Sequence, residues 1–499
     1  MSRTPKTLAD FQVAHDPTYR HEYVGVTHHR AINWKKTKRA IVVSAQNATP
    51  VHEGFWAVLA YMAEALNAEV LVIPLRYKNA TSVWTASQRN AEWYAPEVRP
   101  YLWNVREDMN SNAMVIGDLK TQPTNSNPLS GAETLSRASS AIVGHTRAQS
   151  MSVATPQSKM AKWLTTSGAC TMANYSDTRV GRLAEFHHSL SAQLVELKGN
   201  KFFMRRLNYS ERTGRVIDNG VAYYRDRHET APPSLALIMG DTHVRFVDPS
   251  VVEATFGAGG IVERIRPTHL GWHDLLDAHS CNPHHQNNAF AAYAKWLAGR
   301  SSVNDETQEA VDFLHTQTQR AVKATKFKDL LSFIAPSNHD DMVYRWINKE
   351  DWKKLPAENQ LFYLETAAKM MRGTKMTEYG ISVPDPFVDI LNAANLPNVR
   401  ALASGEEFFL ADVALHLHGD EGPNGARGSR KNIRRAATKS IIGHSHSPGE
   451  DEGCVQVGTS TKLSAEYTGP LGSWLNTHCD LNADGKRQLI TIVDGESCL

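Results

Sequence analysis

Residues 236–248, ALIMGDTHVRFVD, combine a short apolar run with an aspartate and a histidine placed one residue apart. The apolar run predicts a buried strand, and Asp241 and His243 follow at the point where that strand ends. Aspartate and imidazole together suit a borderline divalent ion such as manganese, iron or zinc. Two ligands do not complete a site, so this stretch predicts further Asp, Asn or His ligands elsewhere in the chain.

Four later apolar runs also end in Asp, Asn or His side chains. These runs are THLGWHDLLDAHS (268–280), DLLSFIAPSNHDDM (329–342), DVALHLHGDEG (412–422) and KSIIGHSHSPG (439–449). Residues that follow parallel strands meet at one edge of an α/β sheet, where ligand sites are built. Each ending alone is also consistent with a capped turn or a polar loop, but the five together predict one shared site.

Length and composition predict an ordinary globular protein of two domains. The chain has 499 residues, a length that exceeds what one hydrophobic core usually supports. Of these residues 41% are hydrophobic and 21% charged, as in ordinary globular proteins. A net charge of +2 excludes a global attraction to nucleic acid, so any such contact has to come from local patches. We expect no signal peptide, no membrane span and a cytoplasmic location. The five scattered cysteines predict reduced thiols.

The chain before residue 232 alternates between strand and helix patterns. AIVVSAQ (40–46), HEGFWAVLAYMAEALNA (52–68) and EVLVIPL (69–75) predict a β-α-β unit with parallel strands. RDRHETAPPS (225–234) interrupts the alternation with charges and a proline pair. We therefore predict a Rossmann-like α/β domain in residues 1–232 and a second α/β domain in residues 233–499.

The ordered endings Asp-x-His, Asp, Asn-His-Asp, His and Gly-His-x-His resemble the motifs of the calcineurin-like metallophosphoesterase family. The resemblance covers about residues 234 to 499, and two glycines that flank ligands in the family are replaced by His273 and Ser337. It implies a two-sheet α/β/β/α sandwich that holds two divalent metal ions. The ligands are nitrogen and oxygen without thiolate, which favours Mn²⁺, with Mg²⁺, Fe²⁺ and Zn²⁺ as alternatives.

The same resemblance implies a role for each motif residue. Asp241, His243 and His446 would hold the first metal, Asn338, His418 and His444 the second, and Asp274 would bridge them. His416 lies on the same predicted strand face as His418 and is the weaker alternative for that ligand. His339 would act beside the leaving oxygen, as a general acid or by stabilising the transition state, oriented by Asp340.

Two divalent ions can clamp a phosphate and activate a bridging water for in-line attack, so the motifs predict hydrolysis of a phosphoester. The segment 418–440 between the last two motifs is rich in glycine and basic residues. Four of its cations are predicted to hold the phosphates of a DNA backbone: Arg427, Arg430, Lys431 and Arg434. A solvated helix face is the alternative. A second predicted lining consists of His279, His284, His285 and Asn287, and a polar loop is its alternative.

The stretches GPNGARGS, GHSHSPG and GSWLNTHC resemble metallophosphoesterases of large tailed bacteriophages, including early proteins associated with host DNA breakdown and first-step DNA transfer. This resemblance implies a manganese-type DNase related in chemistry to SbcD-type repair nucleases, placed in the host cytoplasm and able to form a homo-oligomer. Two other functions stay open. One is a phosphomonoesterase or cyclic-nucleotide phosphodiesterase with a closed pocket, and the other is a non-catalytic DNA-transfer or assembly factor.

Overall fold

The computed structural model describes residues 31–77, 94–119, 121–282, 288–378, 380–464 and 469–498. These residues form a mixed α/β fold with three large sheets, each containing both parallel and antiparallel pairs. All five cysteines are unpaired. Within the described parts of the chain, no helix is both long and apolar enough to cross a bilayer.

The described residues also form helices. In chain order they are α1 (Glu53–Ala65), α2 (Ala132–Leu135), α3 (Arg179–Phe186), α4 (Pro249–Phe256), α5 (Ile261–Ile265), α6 (Ala289–Leu297), α7 (Val303–Thr325), α8 (Met342–Lys349), α9 (Ala357–Gly373), α10 (Pro386–Ala393) and α11 (Arg430–Ile433). Short 3₁₀ turns lie at Arg99–Tyr101, Val244–Phe246, Trp352–Lys354 and Pro423–Gly425.

The first sheet has seven strands and comes from the N-terminal part of the chain. Across the sheet they are β13 (His228–Thr230), β12 (Val221–Tyr223), β11 (Arg215–Asp218), β10 (Lys201–Ser210), β9 (Ser191–Lys198), β1 (Arg39–Gln46) and β2 (Glu69–Leu75). Strands β1 and β2 are parallel and α1 connects them, so the predicted β-α-β unit is confirmed.

The rest of this sheet corrects the prediction of a Rossmann-like domain. Strand β9 is antiparallel to both β1 and β10, and β10 to β12 continue as antiparallel hairpins. Only Gly199 and Asn200 separate β9 from β10, and a two-residue connection can join antiparallel strands only. Gly199 has a φ of 59°, which suits such a turn.

The second sheet has six strands and comes from the C-terminal part. Its strands are β19 (Val399–Ala401), β16 (Leu331–Ile334), β15 (His269–Trp272), β14 (Ala236–Ile238), β26 (Thr477–Leu481) and β27 (Arg487–Thr491). Strands β14, β15, β16 and β19 are parallel, so their C-terminal ends share one edge. Helices α4, α5, α7, α8, α9 and α10 contribute to the apolar cluster on one face of this sheet.

The third sheet has ten strands and joins both halves of the chain. They are β20 (Phe409–Leu410), β21 (Val413–Ala414), β22 (Lys439–Ile442), β24 (Cys454–Gln456), β23 (Gly449–Asp451), β6 (Gln149–Val153), β8 (Lys162–Thr166), β5 (Ser140–Val143), β4 (Ala113–Ile116) and β3 (Arg106–Asp108). The antiparallel pair of β23 with β6 connects residues before and after 232. The domain division at residue 232 stays a prediction.

Two small sheets complete the strands of the described residues. They pair β17 (Lys375–Thr377) with β18 (Gly380–Ser382), and β25 (Leu471–Gly472) with β7 (Thr155–Pro156).

The six- and ten-stranded sheets pack face to face through a buried apolar cluster. Ile238 and Phe333 enter it from the six-stranded sheet, and Val413, Ile441 and Val455 from the ten-stranded sheet. Helix α11 packs beside β22 and β24 through a separate small cluster. Since β21 and β22 are parallel, the loops that follow them meet at one edge, as do the loops after β14, β15 and β16.

Candidate metal centre

The polar strand endings converge where the two packed sheets meet. The loops after β14 and β15 run side by side, because Thr242 N–H donates to His273 O at 3.0 Å and His243 N–H to Asp274 O at 2.7 Å. The loops after β21 and β22 are joined in the same way, with Gly443 N–H donating to His418 O at 2.7 Å. These bonds join four of the five segments in two pairs. The fifth, the loop after β16, is held by His339 N–H, which donates to Asp274 Oδ1 at 3.4 Å.

Asp241, His243 and His446 form a first group of donor atoms. His243 Nε2 lies 3.0 Å from His446 Nε2, which in turn lies 3.3 Å from Asp241 Oδ2. Side chains that share an ion through bonds of about 2.0–2.2 Å bring their donor atoms to about 3–3.5 Å of one another. The spacing of this group therefore suits a common cation.

Asn338, His418 and His444 form a second group. Asn338 Oδ1 lies 3.0 Å from His418 Nε2 and 3.0 Å from His444 Nδ1. Asp274 lies between the two groups, since its Oδ2 is 3.2 Å from His418 Nε2 and 3.6 Å from His243 Nε2. The carboxylate of Asp274 thus has the position of a bridge.

His416 lies outside both groups. Its Nδ1 accepts from Phe408 N–H at 3.1 Å and its ring packs against Phe409. Strand β21 ends at Ala414, so the alternation that would place His416 and His418 on one face does not extend to them. Of the two alternatives, only His418 is in contact with Asp274.

Burying the carboxylates of the two donor groups costs free energy unless a cation balances their charge. Asp241, His243 and Asp274 are at most 1% exposed, yet neither carboxylate oxygen of Asp241 accepts a hydrogen bond of normal geometry. A buried carboxylate without hydrogen bonds is strongly destabilising unless a positive charge compensates it. The residues present therefore fit divalent ions, whose charge the orphaned oxygens would balance.

The pKa values of the same groups show the strength of the local field. Burial raises the pKa of Asp241 to about 7, and repulsion from Asp274 adds to this shift. Burial opposes the charged form of His418 and His243, but the surrounding carboxylates outweigh it and raise the pKa of each to about 9. These imidazoles carry protons that a bound cation would replace.

Backbone strain marks the same positions. Four of the predicted ligands adopt the left-handed region, with φ values of 44° at His243, 44° at Asp274, 78° at His444 and 57° at His446. Such a conformation costs a residue other than glycine about 1–3 kcal/mol and is concentrated at functional sites. Contacts with the surrounding loops therefore maintain these four residues in a backbone conformation that is unfavourable by itself.

His339 lies beside both donor groups, but its partner differs from the prediction. Its Nδ1 lies 2.9 Å from Asp277 O, whereas Asp340 accepts from Leu276 N–H at 2.9 Å and from Ser337 Oγ at 2.8 Å. Asp340 thus connects two loops and does not orient the imidazole, which corrects the role given to it. Its short side chain is already occupied by these two donors.

Asp277 and His273 are two site residues that the sequence analysis missed. Asp277 Oδ1 lies 3.2 Å from His243 Nδ1, and Asp277, His243 and His339 form a further group of close donor atoms. His273 Nδ1 lies 3.4 Å from His418 Nδ1, and burial lowers the pKa of His273 to about 3, so this ring is neutral and can accept. Partners of this kind fix the tautomer and orientation of metal-binding histidines.

The four cations that were predicted to contact phosphates differ in their accessibility. Arg427 and Lys431 are exposed. Arg434 is held by Asp451 at 2.6 Å, and burial lowers the pKa of Arg430, whose guanidinium lies against the backbone of Gly449. Burial and ion pairing therefore leave two of the four cations accessible.

The second predicted lining is only partly described. His279 is half-buried against Phe246, with ring centroids 5.4 Å apart. The other members, His284, His285 and Asn287, lie outside the described residues.

Comparison with known proteins gives one similarity over nearly the whole length. The chain is 27% identical over 497 residues to Protein A1 of Escherichia phage T5, covering 96% of this chain and 86% of that protein. No protein-family model matches the chain, and no solved structure matches it. The similarity suggests a bacteriophage protein and by itself carries no activity to this chain.

Gly443 gives a direct test of the packing around Asp241. A Cβ at this position would lie 2.1 Å from Asp241 Oδ1, so Gly443→Ala must displace the buried carboxylate. We expect the affinity for Mn²⁺ to fall about tenfold or more, measured by competition with a fluorescent chelator. Gly472→Ala is the matched control, since a Cβ there meets nothing within 4 Å. Unchanged affinity in Gly443→Ala would contradict the placement of Asp241.

His478 holds the loop that follows β14, and we predict that its titration makes the stability of the fold depend on pH. Its Nδ1 accepts from Gly240 N–H at 2.9 Å, its Nε2 lies 2.9 Å from Thr255 Oγ1, and burial lowers its pKa from 6.5 to about 4. The neutral ring is favoured in the folded state, so its stability contribution is complete above pH 6.5 and is lost as the pH falls toward 4. Between pH 6.5 and 5 this loss amounts to about 2 kcal/mol.

Chemical denaturation in EDTA at both pH values measures this loss. Asn in His478→Asn retains an acceptor for Gly240 but does not titrate, so the free energy of unfolding of this variant should fall less on acidification than that of the wild type. Equal losses in the two proteins would exclude His478 as a source of the pH dependence.

Proposed function

We propose that this chain is a metal-dependent phosphodiester hydrolase of the calcineurin-like metallophosphoesterase type, and that its substrate is DNA. The observation that carries the proposal is the position of Asp274, whose Oδ2 lies within 3.6 Å of a ring nitrogen in each donor group. One buried carboxylate shared by two nitrogen-rich groups is the arrangement that a dinuclear centre requires. The face-to-face packing of the six- and ten-stranded sheets is also consistent with the two-sheet sandwich that the family resemblance implies.

The ligand residues bind and orient, and the bound ions would supply Lewis acidity and an activated water nucleophile. Asp241, Asp274 and Asn338 contribute oxygen donors, and four histidines contribute nitrogen donors, a set that suits Mn²⁺. The Nδ1 of His339 donates to Asp277 O, so Nε2 carries no proton while the ring is neutral. As a general acid the ring would be the imidazolium, whose Nε2–H lies away from that carbonyl and would give its proton to the leaving oxygen.

The substrate assignment is supported by the accessibility of one side of the centre. Asn338, His339 and His444 are only half-buried, whereas Asp241 and His243 are fully buried. Arg427 and Lys431 add exposed positive charge to the segment that follows His418. An open, basic margin suits a polymer that carries phosphates on both sides of the scissile bond.

Hydrolysis assays test the proposal directly. Purified protein is incubated with Mn²⁺, Mg²⁺ or EDTA, and with closed circular DNA, linear duplex, single strands or bis-p-nitrophenyl phosphate. We expect Mn²⁺-dependent cleavage of DNA that weakens with added salt. Turnover of the small diester with intact DNA would favour a small-substrate phosphodiesterase. Inertness toward every substrate, with metal bound, would contradict a hydrolase and favour a DNA-transfer or assembly factor.

Arg427 and Lys431 test the DNA part of the proposal separately. The double substitution Arg427→Gln and Lys431→Gln should weaken DNA cleavage and lower the salt dependence by about one to two counterions, because each cation that contacts a phosphate releases about one. Hydrolysis of bis-p-nitrophenyl phosphate should not change, since that substrate has no flanking phosphates. Lys369→Gln, at an exposed position on α9, is the control. An unchanged salt dependence would remove these residues from the DNA contact.

A further inference from the structure

A second cavity lies at the opposite end of β22 from the metal centre. Lys439 is the first residue of β22, whereas His444 and His446 follow its last residue. Arg147, His187, Tyr209, Arg434, Lys439 and Lys486 are among the residues that line this cavity, which has a volume of about 610 Å³. We call it the rear cavity. Cavities of about 300–1,000 Å³ are typical of small-molecule sites.

Its arginines are fixed by partners. Arg147 forms an ion pair with Glu452, and Arg434 forms one with Asp451. Arg487 donates to Ser440 O at 3.0 Å. The carboxylates are also engaged, because Glu450 pairs with Arg206 at 2.7 Å. These groups form a rigid polar wall.

Two lysines differ from the arginines. Neither Lys439 nor Lys486 forms an ion pair with a carboxylate among the residues that the structure describes, although both line the same cavity. Burial lowers the pKa of Lys486, and the positive charge of Lys439 lowers it further. Glu211 and Asp484 act on Lys486 in the opposite direction, but Glu211 lies 3.3 Å from His52 and Asp484 pairs with Arg215 at 2.8 Å. The two ammonium groups repel each other, and a phosphate between them would relieve this repulsion.

Aromatic side chains lie on the same cavity. Phe186 is 82% exposed at the end of α3, and the ring of His187 meets it edge-on with centroids 5.0 Å apart. Both line the rear cavity together with Tyr209. An exposed aromatic ring and two lysines that line one cavity match a ligand that has a planar ring at one end and a phosphate at the other.

We propose that the rear cavity is a nucleotide-binding site, in which Lys439 and Lys486 hold the phosphate and Phe186 packs against the base. The ligand is a nucleoside monophosphate, either free or at the end of a DNA strand. The site is separate from the metal centre, and the proposal does not rest on the proposed hydrolase activity.

Isothermal titration calorimetry in EDTA tests the site without the metal centre. The probes are dAMP, deoxyadenosine, inorganic phosphate and a short 5′-phosphorylated single strand. The proteins are the wild type, the double variant Lys439→Gln with Lys486→Gln, the variant Phe186→Ala and the control Lys369→Gln. Far-UV circular dichroism and melting curves establish that each variant is folded.

We expect the wild type and Lys369→Gln to bind dAMP, the strand or both, and to bind deoxyadenosine more weakly. The double lysine variant should lose about tenfold or more in affinity, because each lysine donates a charge-assisted bond to the phosphate. Phe186→Ala should lower the affinity for dAMP but leave the affinity for inorganic phosphate unchanged. Binding of dAMP identifies a free nucleotide as the ligand, and binding of the strand alone identifies a strand end. No binding of either probe, or equal affinity in the folded double variant, would overturn the proposal.

Discussion

In the Asp274→Asn protein we expect metal binding to be lost from both donor groups and phosphodiester hydrolysis to fall about a thousandfold or more. Asp274 Oδ2 lies 3.6 Å from His243 Nε2 in the first group and 3.2 Å from His418 Nε2 in the second. An amide in its place carries no negative charge and offers one oxygen. The charge that should balance two divalent ions is therefore removed from both positions at once.

Metal content after dialysis against Mn²⁺, measured by plasma mass spectrometry, and hydrolysis of bis-p-nitrophenyl phosphate are the two readouts. Asp329→Asn is the matched control because Asp329 is an exposed carboxylate that takes no part in either group. One retained equivalent of metal in Asp274→Asn would show that the carboxylate serves one position only. Full retention with normal turnover would contradict the bridge.

In the His339→Ala protein we expect both metal equivalents to be retained while hydrolysis of DNA falls about 10²- to 10⁴-fold, the usual contribution of a general acid. The imidazole lies beside the ligands, with its ring 4.6 Å from that of His243, but it is not a member of either donor group. Its Nδ1 is held by Asp277 O, which leaves Nε2 to serve the leaving oxygen. Burial lowers the pKa of His339 and so disfavours the imidazolium that would give this proton, whereas Asp274 and Asp277 favour it.

The leaving group distinguishes proton donation from a purely structural role. DNA has an alkoxide leaving group that needs a proton, whereas p-nitrophenolate leaves without one. His339→Ala should therefore reduce DNA cleavage much more than cleavage of bis-p-nitrophenyl phosphate. His315→Ala, at an exposed position on α7, is the matched control. Equal reductions for both substrates, or loss of metal, would contradict the role of His339.

Much of the candidate site could be predicted because its residues follow apolar strands. Each ligand comes directly after a short buried run, and parallel strands place such endings at one edge. This relation depends on local sequence alone, so the sequence is enough to predict that Asp241, Asp274, Asn338, His418, His444 and His446 lie together.

The supporting residues could not be predicted in the same way. Asp277 and His273 flank the bridge in sequence, but their roles depend on contacts with His243 and His418, which come from other strands. His273 replaces a glycine of the family pattern, and from the sequence this replacement indicates only a different loop conformation. The charge of Arg434 is evident from the sequence, but its ion pair with Asp451 of β23 depends on the tertiary fold.

The N-terminal part shows a different limit. The β-α-β unit has a local signature and was predicted correctly, but the direction of β9 beside β1 is a tertiary choice. The short Gly199–Asn200 turn was the signal that β9 and β10 are antiparallel. Nothing in the local pattern indicates that β6 would pair with β23, almost 300 residues later, to extend one sheet through both halves.

The most direct test of the account is a titration of the metal-free protein with Mn²⁺, followed by electron paramagnetic resonance. Because the two donor groups share one carboxylate, we expect two bound equivalents per chain and a multiline spectrum from two spin-coupled ions. A six-line spectrum from isolated ions, or saturation at one equivalent, would contradict a dinuclear centre bridged by Asp274.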